Sequence, residues 1–165
     1  MALTLESAPQ VWQRVDQFLA NAKPNPAVVE QFRALRNYIV QQKGNPQLQF
    51  IPFSEADIVQ ATGFSPIAAV ASTVYGVFQA KTGATGAAGT GTDSWLTVGN
   101  ASTNTVDATK FIALMTSVAG QQVAAFYPNG LIFGTDLTIS GETSAQDGTE
   151  STAGDSGPGF VIIGA

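Results

Sequence analysis

A break in composition at Gly63 divides the chain into two parts with different folding signals. Residues 1–63 contain all three arginines and hold five basic against five acidic residues. Residues 64–165 contain 15 of the 17 glycines and two lysines against seven acidic residues, so the net charge of −5 belongs to this part. We therefore predict a helical region with an extended arm over 1–63 and a β domain over 64–165.

The first part carries the periodicity of amphipathic helices. Its apolar residues recur at three- and four-residue spacing in two stripes. Ser7 and Gln10 form a capping pattern at the start of the first stripe. Asn25 and Pro26 suit the cap and first position of a second helix, which Gly44 ends. We expect two antiparallel helices whose stripes pack together as core.

Residues 45–53 lack this helical period. Their partial alternation and the proline near their end predict an extended segment. One interpretation is an arm that binds a partner through Phe50, Ile51, Pro52 and Phe53. The other is a connector whose side chains pack the helices against the β domain.

Beyond Gly63 the apolar period changes to two, and β-branched and aromatic residues become frequent, which favours strands. Seven short strands are predicted, at Thr73–Lys81, Ser94–Asn100, Lys110–Thr116, Gln121–Tyr127, Leu131–Phe133, Leu137–Gly141 and Gly159–Ile163. Pro128-Asn129-Gly130 is predicted to be a turn between two of them. The expected fold class is α+β: a helical segment followed by an antiparallel β-sandwich of jelly-roll or immunoglobulin-like type.

The composition argues against catalysis. The chain has no histidine and no cysteine, so imidazole bases and thiol nucleophiles are absent. Gly154–Pro158 resembles the nucleophile motif of serine proteases, but no imidazole can take the proton of Ser156. Asp93, Asp107 and Asp136 are spaced neither as a calcium loop nor as a glycosidase pair. We expect no enzymatic activity, no bound metal and no cofactor.

Two classes of partner are also disfavoured. An acidic chain with two lysines in its larger part lacks the basic stripe that nucleic acids require. No stretch of about 18 apolar residues is present, so we expect no membrane span.

The aromatic residues Tyr75, Trp95, Phe126 and Tyr127 could stack on a sugar. Their place in alternating apolar segments favours sandwich core instead.

Four segments of the second part follow an order found in a known group of proteins. They are Val74–Ala80, Asp93–Val98, Phe126–Leu137 with its Asn-Gly-Leu-Ile-Phe-Gly run, and Gly159–Gly164. This order resembles small β-sandwich virion proteins of tailed bacteriophages, and the resemblance covers about 90 residues of the 165. Residues 1–63 have no counterpart in it.

The resemblance implies a structural function on the virus particle. Proteins of this kind include capsid decoration or cement proteins, which sit on the capsid surface, bind the major capsid protein and are often homotrimers. We therefore expect a protein of this kind, with itself and the major capsid protein as partners. The alternative is a receptor- or glycan-binding module of a phage fibre or tail, with the long loops as its binding surface.

Overall fold

The structure is a computed structural model that describes residues 3–58, 64–67, 70–80, 94–101, 110–116, 120–142 and 158–165. Its helices are α1 (Ala8–Ala22), α2 (Pro26–Lys43) and the single turn α3 (Glu55–Ile58). Its strands are β1 (Glu6–Ser7), β2 (Gln47–Phe53), β3 (Phe64–Ile67), β4 (Ser72–Ala80), β5 (Ser94–Gly99), β6 (Lys110–Thr116), β7 (Gln122–Phe133), β8 (Leu137–Glu142) and β9 (Gly159–Gly164).

The strands form two antiparallel sheets. The larger sheet has the order β1-β2-β9-β4-β7, and the smaller has the order β3-β8-β5-β6. Every strand pair in both sheets is antiparallel. The predicted α+β class, with helices first and a β-sandwich after them, is confirmed.

Local signals explain where the two long helices begin and end. The side chain of Gln10 accepts hydrogen bonds from the backbone N–H of Ser7 at 3.3 Å and from its hydroxyl at 2.8 Å. Lys23 ends α1 in a left-handed conformation with φ of 49°. The side chain of Asn25 accepts from the N–H of Ala27 at 3.0 Å and caps α2. These contacts satisfy backbone groups that a helix end leaves unpaired, as the capping patterns predict.

The larger sheet is covered on both faces. Its inner face packs on the smaller sheet, and we call this layer the sheet core; its outer face packs on α1 and α2, and we call that layer the helix core. Strand β9 supplies both layers by alternation, with Val161 and Ile163 in the sheet core and Phe160 and Ile162 in the helix core. All four side chains are fully buried. The chain is thus folded as three layers, helices on sheet on sheet.

Aromatic rings hold the helices on the sheet. The ring of Phe160 lies 5.1 Å from Phe18 of α1, 5.2 Å from Phe32 of α2, 5.1 Å from Phe50 of β2 and 5.5 Å from Phe78 of β4, measured between ring centroids. One strand side chain therefore contacts both helices and both neighbouring strands. Aromatic pairs at these separations stabilise beyond the area that they bury.

The compositional boundary at Gly63 does not separate the sheets. Strand β2 lies before the boundary, yet it pairs with β9 from Leu48 opposite Gly164 to Phe53 opposite Gly159. Two strands were not predicted: β1 has two residues, too few to show a period, and β3 contains Pro66, which reads as a turn signal.

The prediction of a turn at Pro128-Asn129-Gly130 was wrong. These residues lie inside the single long strand β7, which stays paired with β4 on both sides of them. Phe126 lies opposite Gly76 and Leu131 opposite Val74, so four residues of β7 face one residue of β4. The turn-forming residues therefore build a bulge in an edge strand, where irregular backbone is tolerated.

Replacing Phe160 by alanine should lower the free energy of unfolding by about 3–5 kcal/mol, because it removes the ring that contacts both helices. Chemical denaturation would measure the loss. Ile132→Ala is the matched control, since Ile132 lies 70% exposed on the same sheet and should cost about 0.5 kcal/mol or less. Equal effects of the two substitutions would contradict the central position of Phe160.

Gly130→Ala should destabilise the bulge. Gly130 has φ of +86°, and an added Cβ would overlap the Thr73 methyl group and approach the Tyr75 ring. Gly120→Ala is the control, since Gly120 has φ of +78° but no atom of the described residues within 4 Å of the added Cβ. We expect a loss of about 1 kcal/mol more at Gly130 than at Gly120. Thr73→Ser should recover part of that difference; no recovery would contradict the packing of the bulge.

Candidate functional site

An apolar groove lies between α2 and β7. It has a volume of about 340 Å³. Helix α2 supplies one wall with Gln31, Ala34, Leu35 and Tyr38, and β7 supplies the other with Phe126 and Pro128. The spacing of the four helix residues places them on one face of α2. Nearly all of the exposed lining is carbon, so the groove suits an apolar side chain.

Contacts within the chain join α2 to the strands beside the groove. The Tyr38 hydroxyl donates to the side-chain oxygen of Asn129 at 2.7 Å, which ties α2 to the bulge. The Phe32 ring of α2 packs on the Phe126 ring of β7, with 4.8 Å between the ring centroids. Gly76 lets α2 approach the sheet, since a Cβ there would lie 3.1 Å from Leu35 Cδ2. The groove is therefore preformed by contacts within the chain itself.

A second pocket of about 480 Å³ lies between α1 and α2, and its lining is about half polar and half apolar. Arg36 pairs with Asp16 at 3.9 Å, and Arg33 pairs with Glu30 at 2.6 Å. The side chains of both pairs are about half exposed or more, so solvent screens them and each pair contributes little. The lining carries three basic side chains, Lys23, Arg33 and Arg36, against one acidic side chain, Asp16, and all four are exposed.

The described residues contain no cluster of three or more His, Cys, Asp or Glu that could hold a metal ion. Among the same residues, no helix is long and apolar enough to cross a membrane. Burial raises the pKa of the Tyr127 hydroxyl above its ordinary value. The backbone N–H of Asp136 donates to the side-chain oxygen of Asn100 at 3.2 Å, so Asp136 takes part in a loop contact.

Several candidate positions from the sequence lie outside the described residues. These are Asp93, Asp107 and Ser156, together with most of the protease-like motif around it. The four aromatic residues considered as a sugar platform are not brought onto one surface. Tyr75 and Phe126 belong to the helix core, Tyr127 packs on the sheet core, and Trp95 lies on β5 in the smaller sheet.

The four residues suggested as a partner-binding arm lie in β2. Ile51 and Phe53 are buried in the sheet core, and the Phe50 ring packs on the helix core beside Phe160. Pro52 is exposed. Side chains of this segment thus pack both layers around the larger sheet. That a partner binds them stays a prediction.

Replacing Phe53 by alanine distinguishes the two interpretations of this segment. Because Phe53 is 3% exposed in the sheet core, we expect it to lose about 3–5 kcal/mol of folding stability. Pro52→Ala, on the same strand but exposed, should cost about 1 kcal/mol or less. Thermal denaturation reads out both variants. An unchanged melting temperature for Phe53→Ala, with loss of partner binding, would instead identify an arm.

The groove was not predicted from the sequence. The apolar stripe of α2 is flanked by Gln31, Ala34 and Tyr38. The spacing of these residues is the same for a groove wall as for a helix face exposed to solvent, so the sequence does not distinguish the two. The opposite wall depends on the bulge, which the sequence presented as a turn. Comparisons with protein-family models, curated proteins and solved structures find no match to this chain.

Proposed function

We propose that this protein is a structural virion protein that decorates the bacteriophage capsid and cements it by binding the major capsid protein. The order of segments between Val74 and Gly164 supports this, through its resemblance to small β-sandwich virion proteins. The lack of histidine and cysteine agrees with a function that needs no reactive group. The observation that carries the proposal is the preformed apolar groove between α2 and β7.

The groove acts by contact alone. An apolar side chain of the capsid protein inserts between Ala34 and Pro128, and the contacts that already join the two walls keep the entropic cost of binding low. Each contact is small, since a groove of about 340 Å³ accepts one or two side chains. On a lattice the same contact repeats many times, and copies that associate with one another gain from effective concentration.

Cosedimentation of the purified protein with capsids tests this function. Ala34→Arg should abolish binding, because a long charged side chain from this exposed position fills the apolar groove. Asn37→Arg is the matched control: it adds the same charge at an exposed position one turn along α2, outside the groove lining. We expect this control to bind as the unaltered protein does and both variants to melt alike.

Capsids that lack the protein should assemble but open at lower temperature or lower salt, and adding the protein back should restore them. Ala34→Arg should fail to restore them, while Asn37→Arg should succeed. Equal opening with and without the protein contradicts the cementing function. Binding to host cells or glycans, with none to capsids, would favour a module of a fibre or tail.

A further inference from the structure

The pocket between α1 and α2, which we call the interhelical cleft, concentrates positive charge. Its lining includes Lys23, Arg33 and Arg36, three of the seven basic residues in a chain whose net charge is −5. Asp16 is the acidic residue of this lining, and Glu30 lies beside it as the partner of Arg33. Three positive charges against these two negative charges leave the cleft positive, opposite in sign to the whole chain.

The three basic side chains differ in how firmly they are paired. Arg33 pairs with Glu30 of its own helix at 2.6 Å. Arg36 reaches Asp16 of α1 only at 3.9 Å, which is beyond hydrogen-bond distance. No acidic side chain of the described residues pairs with Lys23. Lys23 and Arg36 are therefore the two cations that can accept a further carboxylate.

The backbone at Lys23 is a second and independent sign of a binding site. Among the described residues, Lys23 is the only one other than glycine with a positive φ, at 49°. Glycine is common at this position after a helix, because a Cβ is crowded in the left-handed conformation. Residues held in such a conformation occur often at ligand sites. The lysine here ends α1 and adds a long basic side chain to the cleft.

The turn that carries Lys23 is fixed to the rest of the molecule. The N–H of Lys23 donates to the Leu19 carbonyl at 2.9 Å. The N–H of Asn25 donates to the side-chain oxygen of Gln122 on β7, also at 2.9 Å. Between them, Pro24 has its φ angle fixed by its ring. This end of the cleft is thus formed before a partner binds, which lowers the entropic cost of binding.

Apolar groups lie deeper in the cleft than the charges. Leu19 is buried, and Pro24 and Val29 are half-buried, whereas the charged side chains of the lining are exposed. An anion alone would leave the apolar part of the lining uncovered. A purely apolar ligand would remove the basic side chains from water without giving them a partner, which is unfavourable. The lining also has no aromatic ring on which a nucleic acid base could stack.

We infer that the interhelical cleft binds an acidic peptide segment of a partner protein, in which carboxylates flank one apolar side chain. The apolar side chain contacts Leu19 and Val29, and the carboxylates pair with Lys23 and Arg36. The cleft and the apolar groove involve different faces of α2, so this contact does not rest on the proposed capsid binding. Because the charges are exposed, we expect a dissociation constant on the order of 100 μM.

Fluorescence polarisation with a designed peptide tests the site. The probe is a short dye-labelled peptide, blocked at both ends, in which one leucine lies between two pairs of glutamates. Replacing its glutamates by glutamines, or its leucine by serine, should weaken binding severalfold. Raising the ionic strength from about 0.05 M to about 0.5 M should also weaken it, because salt screens exposed charges.

Substitutions in the cleft identify the residues that bind. Lys23→Gly and Arg36→Gln should each weaken binding about threefold. Lys23→Gly should not lower the melting temperature, because glycine adopts the left-handed conformation readily. Arg14→Gln is the matched control: it removes the same charge from an exposed position of α1 outside the cleft lining and should leave binding unchanged.

Asp16→Asn should strengthen binding. It removes the carboxylate that competes for Arg36, and Asp16 is exposed, so the fold should tolerate the change. We expect the affinity for the acidic peptide to rise about threefold. A rise in affinity cannot result from a loss of folding, so this variant remains informative if another variant is unstable.

Five results would overturn the inference. The first is no saturable binding of the acidic peptide below about 1 mM protein. The second is equal binding of the glutamine peptide. The third is a loss with Arg14→Gln as large as that with Arg36→Gln. The fourth is an unchanged affinity of Asp16→Asn. The fifth is tighter binding of a labelled oligothymidylate than of the peptide, lost in the same variants, which would assign the cleft to phosphate groups instead.

Discussion

The burial of β9 on both faces is the constraint on which the rest of this structure depends. A strand reading Gly-Phe-Val-Ile-Ile-Gly has no polar side chain to expose, so it needs an apolar layer on each side and a strand at each edge. Strands β2 and β4 flank it, the smaller sheet covers Val161 and Ile163, and the helices cover Phe160 and Ile162. Each of the three layers is required by this one strand.

The same constraint explains why the two compositional parts fold together. The helices carry apolar stripes that need a surface to cover, and the larger sheet has an apolar outer face that needs covering. Strand β2 joins them, because its alternation sends Ile51 and Phe53 to one layer and Leu48 and Phe50 to the other side of the sheet. A charge-neutral helical part and an acidic β part thus share one larger sheet.

The surfaces available for function are those that remain exposed after this packing. The bulge in β7 contains Pro128, which lines an apolar groove together with residues of α2. The groove is a concave apolar surface, and the contact proposed there depends on shape and apolar area. A chain without histidine or cysteine can make such a contact.

The sequence by itself determined the elements that rest on local physics. Capping at Ser7 and Asn25 set the helix starts, and period-two alternation placed β4, β5, β6, β8 and β9. The tertiary structure alone decided how distant segments meet. Pro128-Asn129-Gly130 has the local chemistry of a turn, but β4 pairs on both sides of it and makes it a bulge. Likewise, the local sequence around Phe53 is compatible with an exposed arm and with a buried core. Its burial is decided only by its pairing with Gly159, over 100 residues later. Local signals act over a few residues, whereas pairing and burial depend on partners that no local pattern identifies.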